Sequence, residues 1–316
     1  MAGFKEIFQK QGGLKLIKDY WHAGVLFYVL RQILLTGKSK KSLEIVRQGT
    51  QLKIYQKLCK QYKYVLEKFD TDINLKLNKS INSHIVWVSW MQGIENAPAL
   101  VQKCYHTLQE NLRDREIVLI TSENLREYTD LPQWILDKYK QGLITHTHFS
   151  DLLRIELLCK YGGTWIDSTV FCTGNNIPSY MLDSDLFMFQ NLKPGADGST
   201  LNISSWFMTS CSNNKILLAV RELLWEYWKN ENRLIDYFLL HHFIMMVSEY
   251  YADEWKKMVQ FPNSFPHVLL LMLFDEFNQE KWDAITSSCP FHKLAYKRSK
   301  ENLEKKGTFY EHLMNI

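Results

Sequence analysis

Ser150, Asp151, Arg154, Gly162, Gly163 and Asp167 fall in that order within HFSDLLRIELLCKYGGTWIDSTV, residues 148–170. A helix that only packed a core would need neither of its charges. Asp151 and Arg154 are three residues apart, so on a helix they share a face. Ser150 has an N-cap side chain, which would put Asp151 in the first turn at the positive end of the helix dipole. Gly162 and Gly163 end that helix and permit a tight return into a strand. In TWIDSTV, alternation puts Trp165, Asp167 and Thr169 on one side. A carboxylate then stands near the C-terminal end of a parallel strand, where α/β sheets hold their ligands. A plain helix ion pair and a turn-capping aspartate would explain each charge alone. They would not explain acid, base, glycine pair and acid arriving together.

Several elements must position this motif. The strand-like run HIVWVSW (84–90) leads to a helix from about Ala97 to Leu112, opened by Pro98. EIVLIT (116–121) reads as a second strand and QWILDKYKQG (133–142) as a short helix ended by glycine. Strand, helix, strand, helix, strand predicts a parallel α/β arrangement. DLFMFQ (185–190) and SSWFMTS (204–210) add strands around a KPGADG turn (193–198), and amphipathic helices follow at about 213–229 and 233–250. A loop-rich tail carries FHKLAYK (291–297). The expected fold is α/β, a Rossmann-like mixed sheet with flanking helices, in a domain of residues 79–316.

Residues 1–78 have another texture, helical and basic. Residues 1–68 hold 14 Lys and Arg against 4 Asp and Glu, whereas the remainder holds 24 against 30. The basicity of the chain therefore belongs to this region alone. Ile45, Leu52, Tyr55, Leu58, Tyr62, Val65 and Leu66 recur at helical steps with lysines between them, as in an amphipathic helix with a basic face. VLFYVLRQILL (25–35) is interrupted by Arg31 and is far short of the ~20 apolar residues needed to span a bilayer. The partners such a region fits are an anionic membrane surface, where each base adds about 1 kcal/mol, the main domain, or a second copy of the chain in a homo-oligomer. Nucleic acid is disfavoured, because no recognition motif accompanies the charge. Polar residues Asp70–Asn82 read as a linker. The six cysteines are scattered without metal or CxxC spacing and read as free thiols of a cytoplasmic protein. His146 and His148 lack a third ligand nearby, and of His241 and His242 one must face inwards; all four read as loop or core histidines.

SDLLRIELLCKYGGTWID resembles the sugar-binding signature of the DXD-type glycosyltransferases, S-D-x-x-R followed by a glycine pair, an aromatic and D-x-D. IVWVSWMQGIENAP, ENLREYTDLPQWI, GGTWIDSTV and HKLAYK extend the similarity, over about residues 80–300, to bacterial capsular polysaccharide synthesis proteins, relatives of the initiating yeast-type mannosyltransferases. The resemblance implies a glycosyltransferase-A fold and transfer of a hexose from a nucleotide-sugar, a UDP-sugar first, with retention. The acceptor it implies is a polyprenyl-diphosphate-linked oligosaccharide of a capsule or exopolysaccharide, met at the inner face of the plasma membrane. Carried over by position, Asp151, Arg154, Gly162 and Gly163 would hold the donor sugar, and Asp167 would be the catalytic acid of the motif and a ligand of Mn2+ or Mg2+. Trp87, Trp90 and Asp167 would border the nucleotide, and His292, Lys293 and Lys297 the diphosphate; the alternatives are two core tryptophans and a solvated basic tail. Thr169 stands where the second acid of D-x-D belongs. Either another group completes a metal site, or cationic side chains neutralise the leaving diphosphate. That departure keeps two rivals open, a non-catalytic nucleotide-sugar or glycan-binding subunit and a sugar-phosphate transferase.

Overall fold

The computed structural model describes residues 13–73, 80–174, 176–192 and 201–316. The KPGADG turn and the centre of the expected linker lie outside the described residues. Strands β1 (Ile85–Ser89), β2 (Glu116–Ile120), β3 (Gly163–Ile166), β5 (Leu186–Gln190) and β6 (Ile203–Ser210) form one sheet in the order β2-β1-β3-β6-β5. The β2-β1-β3 half is parallel, as the alternation predicts, while β6 runs antiparallel to both β3 and β5. Its helices are α4 (Ala99–Asn111), α5 (Gln133–Lys140), α6 (His146–Tyr161), α7 (Lys215–Asn230) and α8 (Leu239–Tyr250), with α9 (Gln279–Ser288) near the end of the chain. A second, two-stranded sheet pairs β4 (Val170–Cys172) with β7 (Phe291–Lys293). That pairing gives the tail a structural task that its loop-like composition conceals.

Two boundaries differ from those read in the sequence. Helix α6 begins at His146, not at Asp151, because the Thr145 hydroxyl caps it by accepting from the His148 amide. Asp151 therefore sits in the second turn, away from the free amides of the helix start. Helix α8 begins at Leu239, not near residue 233, because the Asp236 carboxylate accepts from the Phe238 amide and holds a turn ahead of it.

The N-terminal helices α1 (Leu14–Ala23), α2 (Leu26–Thr36) and α3 (Lys40–Ile73) have no core of their own. On α3, Ile54, Leu58, Tyr62 and Leu66 are buried in the same cluster as Tyr227, Phe243 and the inner face of α6. Tyr62 packs on Tyr227 and edge-on to Phe243, with centroids 5.8 and 5.7 Å away. Tyr55 donates to Glu249, and Tyr251 donates to Asp70 at 2.6 Å. The amphipathic helix is thus seated on the domain that carries the sheet. The α1–α2 hairpin is clamped to it in turn, with Lys57 donating to the Ala23 carbonyl at 3.1 Å. Tyr28 lies so close to Gly49 that a Cβ there would stand 2.1 Å from its hydroxyl.

Candidate functional site at the end of strand β3

Helix α6 is buried from His148 to Cys159 except at the half-buried Ser150. A helix in that position is ordinarily apolar all round, and buried charge is tolerated only when it is paired. Arg154, whose side chain is 5% exposed, meets that demand with a fork of bonds. Its Nη1 donates to the Ser205 carbonyl at 2.7 Å and the Ser205 hydroxyl at 2.5 Å, and lies 3.2 Å from Asp151. Its Nη2 reaches Asp167 and the Ser150 hydroxyl, each at 3.3 Å. The guanidinium also lies 5.0 Å from the Trp165 ring centre. Ser150 is therefore a mid-helix partner of Arg154 rather than a cap.

Asp151 is held from its other side by His148. The Trp228 indole donates to His148 Nε2 at 2.8 Å, which leaves the ring proton on Nδ1, facing Asp151 at 3.3 Å. This chain of indole, imidazole, carboxylate and guanidinium fixes the Asp151 carboxylate in one orientation.

Asp167 follows β3 directly, and its carboxylate accepts from three donors. Trp165 Nε1 lies 2.9 Å from Oδ1, which Arg154 shares, and Lys293 Nζ lies 2.7 Å from Oδ2. Lys293 also donates to the Thr169 hydroxyl at 2.6 Å. Burial alone would raise the Asp167 carboxyl. The charges of Lys293 and then Arg154, with the bonds from Lys293 and Trp165, outweigh it and hold the group below the ordinary carboxylate range. Lys293 is placed by β7, since Val170 pairs with Lys293 and the Leu294 amide donates to the Thr169 carbonyl at 2.9 Å.

A model of the capsular polysaccharide synthesis protein family matches residues 36–313, nearly the whole chain and all of the site just described. The chain belongs to that family. Among solved structures it is similar to one titled "PaToxG Glycosyltransferase", with 12% identity over 82% of this chain and 96% of that one and a TM-score of 0.36. No curated protein matches the chain.

Of the residues this capsule-synthesis protein was expected to use, the structure brings Asp151, Arg154, Asp167 and Lys293 into one connected group. Trp90, just past β1, packs edge-on to Tyr296 with centroids 5.6 Å apart, and its buried Nε1 has no partner. Trp87 stays in the core, fully buried, with Nε1 on the Gly162 carbonyl at 2.9 Å. Gly162 and Gly163 lie at the far end of α6, roughly 16 Å from Asp151 at 1.5 Å per residue. There they let the helix turn into the sheet: both have positive φ, and a Cβ on Gly163 would stand 2.3 Å from the Ile85 carbonyl oxygen. His292 points to the opposite face of β7 from Lys293, buried, with Nε2 3.1 Å from the Thr173 hydroxyl; burial pushes its imidazole down to about 4. Lys297 is exposed beside the Tyr296 ring. Ser205, His148 and Trp228 were missed as site residues. The spacing of His148 three before Asp151 was the one local sign, whereas Ser205 and Trp228 arrive from distant elements. Tyr237, 61% exposed, stands at the rim within the field of Asp151 and Asp167.

Mn2+ or Mg2+ at Asp167 requires several free oxygen donors. Both Asp167 oxygens and the Thr169 hydroxyl are already engaged by protein cations or an indole, and no group of three His, Cys, Asp or Glu side chains able to hold a metal exists among the described residues. A divalent ion ~4 Å from the Lys293 ammonium would meet a repulsion of about 8 kcal/mol at an effective dielectric constant of ~20. This donor set does not fit a hard divalent cation.

Away from this group, a cavity of about 830 Å³ opens between α2–α3 and the ends of β5 and β6. Tyr28, Gln48, Gln51, Gln190, Asn263 and His241 are among the residues lining it. His241 connects the two regions: it faces the cavity, Asp151 and Arg154 act on it electrostatically, and its Nδ1 has no partner.

Proposed function

We propose that this capsular polysaccharide synthesis protein is a glycosyltransferase. It would move a hexose from a nucleotide-sugar, a UDP-sugar first, to a growing lipid-linked capsular or exopolysaccharide repeat unit. The observation that carries the reading is the connected group Asp151, Arg154, Asp167 and Lys293 beyond the C-terminal end of β3, where a parallel sheet presents its ligands. In the reaction, the bond from the anomeric carbon to the diphosphate oxygen breaks and its electron pair stays on the diphosphate. A bond forms to an acceptor hydroxyl oxygen, and the hydroxyl proton passes to the departing phosphate. Acceptor and leaving group then share one face of the sugar, so configuration is retained. Negative charge grows on the phosphate, and a cation already in place there supplies the largest stabilisation. Lys293, 20% exposed and fixed by two oxygens, suits that task. Asp151 and Arg154 suit the orienting of sugar hydroxyls, and the pair of Trp90 and Tyr296 suits the nucleotide base.

The cavity lined by amides and the Tyr28 ring suits a hydroxyl-rich acceptor, and its volume is in the range of ligand sites. It opens beside the hairpin, where Leu14, Trp21, Phe27, Leu34 and Leu35 are exposed among the exposed bases Lys15, Lys18, Arg31 and Lys41. Apolar side chains ringed by cations suit an anionic lipid surface. No helix among the described residues is long and apolar enough to cross a membrane, so the attachment we propose is peripheral, at the inner face.

The test is a thermal-shift panel of UDP-, GDP-, CMP- and dTDP-sugars, followed by product analysis with saccharide acceptors. One nucleotide class should raise Tm by mass action, through a stabilisation of about 2.7 kcal/mol at a hundredfold excess over Kd, and should yield a glycosidic product that Asp151→Asn abolishes. A phosphate-linked product would make the protein a sugar-phosphate transferase. Binding without turnover would make it a binding subunit.

A further inference from the structure

We infer that the Lys293 ammonium takes the place of a divalent cation in this site, so that the diphosphate of the donor is held without metal. The inference rests on the transferase reading for its ligand, and on the geometry around Asp167 for its substance. Lys293 Nζ bridges the Asp167 carboxylate at 2.7 Å and the Thr169 hydroxyl at 2.6 Å, the two side chains that a D-x-D motif would offer to a metal. Thr169 brings no charge, so a divalent ion would be under-neutralised there, whereas a monovalent ammonium balances Asp167 alone. Both terminal nitrogens of Arg154 are engaged by Asp151, Ser205 and the other Asp167 oxygen, and its remaining Nε is buried.

An ammonium has three protons. Two are committed to Asp167 and Thr169, which leaves one for an incoming phosphate oxygen. With its oxygen already accepting from Lys293, the Thr169 hydroxyl keeps its own proton to donate to the same anion. Residue 169 therefore acts as a selector. A carboxylate at this position would build a metal site, whereas a hydroxyl builds an anion site around a lysine. β7 delivers Lys293 from a segment 124 residues further along the chain, so the cation is part of the fold and needs no recruitment from solution.

The experiment is a Mn2+ titration of the full-length protein followed by electron paramagnetic resonance and by Tm, for wild type, Asp167→Asn and the double variant Thr169→Asp/Lys293→Ala. The wild type is expected to show no stoichiometric Mn2+ site and no Tm shift. The double variant should bind Mn2+ at least ~10-fold more tightly than wild type. UDP and inorganic pyrophosphate, titrated with EDTA present, should raise the Tm of wild type and of Lys293→Arg but not of Lys293→Met. A stoichiometric Mn2+ site in the wild type that Asp167→Asn removes would overturn the inference. So would pyrophosphate binding that appears only with Mn2+. The wild-type metal titration needs neither a folded variant nor a known donor. Should no nucleotide-sugar ever be turned over, the transferase reading fails while this titration still gives its answer.

Discussion

Replacing Arg154 with methionine removes a buried cation that two carboxylates share while keeping much of the side-chain volume. The guanidinium and the Asp151 carboxylate are 5% and 7% exposed, so water cannot take over their solvation. Asp151 would keep only the His148 bond, and the Ser205 carbonyl would lose its charged donor. Asp167, 24% exposed and still bonded to Lys293, would suffer less. Leaving one partner of a buried pair unpaired costs ~3–5 kcal/mol, and that is the destabilisation expected at pH 7, measured by urea unfolding with an unchanged m-value.

The same substitution has a pH signature. The folded carboxyl of Asp167 lies below its ordinary value of 3.8, so it contributes stability above that pH and loses it as pH falls through the folded value. Without Arg154 the folded value moves back up, and the deficit of the variant should shrink as the solution is acidified below 3.8. Pairing Arg154→Met with Asp151→Leu removes both charges, and the double variant should recover a large part of the loss. A deficit under ~1 kcal/mol, set against the expected range, or strict additivity of the two substitutions would refute the reasoning.

Gly163→Ala should cost about 3 kcal/mol or more, from a left-handed backbone and a Cβ driven into the Ile85 carbonyl; a wild-type urea midpoint would show that strands β1 and β3 do not approach so closely. Burial pushes His292 and His241 from 6.5 down to about 4, so the unfolded chain takes up protons first and stability should fall as pH drops through that window. His292→Phe should flatten that fall, and an unchanged pH profile would place the ring in water. Leu34→Glu together with Phe27→Glu should abolish co-sedimentation with anionic vesicles at unchanged Tm; binding that persists, or a self-associated wild type that the pair converts to monomer, would assign the hairpin face to something other than lipid.

Local signals in the sequence reported local facts well. The parallel half of the sheet, the span of α4 and the sharing of Asp167 and Thr169 on one side all follow from period and punctuation. What the sequence hid was whatever depends on a distant partner. Ser205 reaches Arg154 across 51 positions and Trp228 reaches His148 across 80, and nothing near either end announces the meeting. Helix α6 looked shorter than it is because its first turn, HTHF, is polar and loop-like, and only the Thr145 cap and the packing of Trp228 make it helical. The resemblance puts Trp87 beside the nucleotide, and alternation alone cannot choose between that and the core, because it cannot tell a strand buried on both faces from one with an open face. The antiparallel entry of β6 between β3 and β5 is a matter of topology, on which residue pattern is silent.

Helix α3 has a mechanical consequence. Its 34 residues make a rod about 50 Å long at 1.5 Å per residue, and its apolar stripe is sunk into the core that carries the sheet. Deleting it would strip the domain of part of its interior, so it does not behave as a detachable anchor. The hairpin is bolted to this rod, and whatever the hairpin touches therefore sets the attitude of the whole body. A molecule seated by α1 and α2 has lost its freedom to tumble, and its cleft points in one direction at one height. If the hairpin sits on a membrane as we propose, encounter with an acceptor confined to the same plane would become a two-dimensional search with the mouth of the site already aimed.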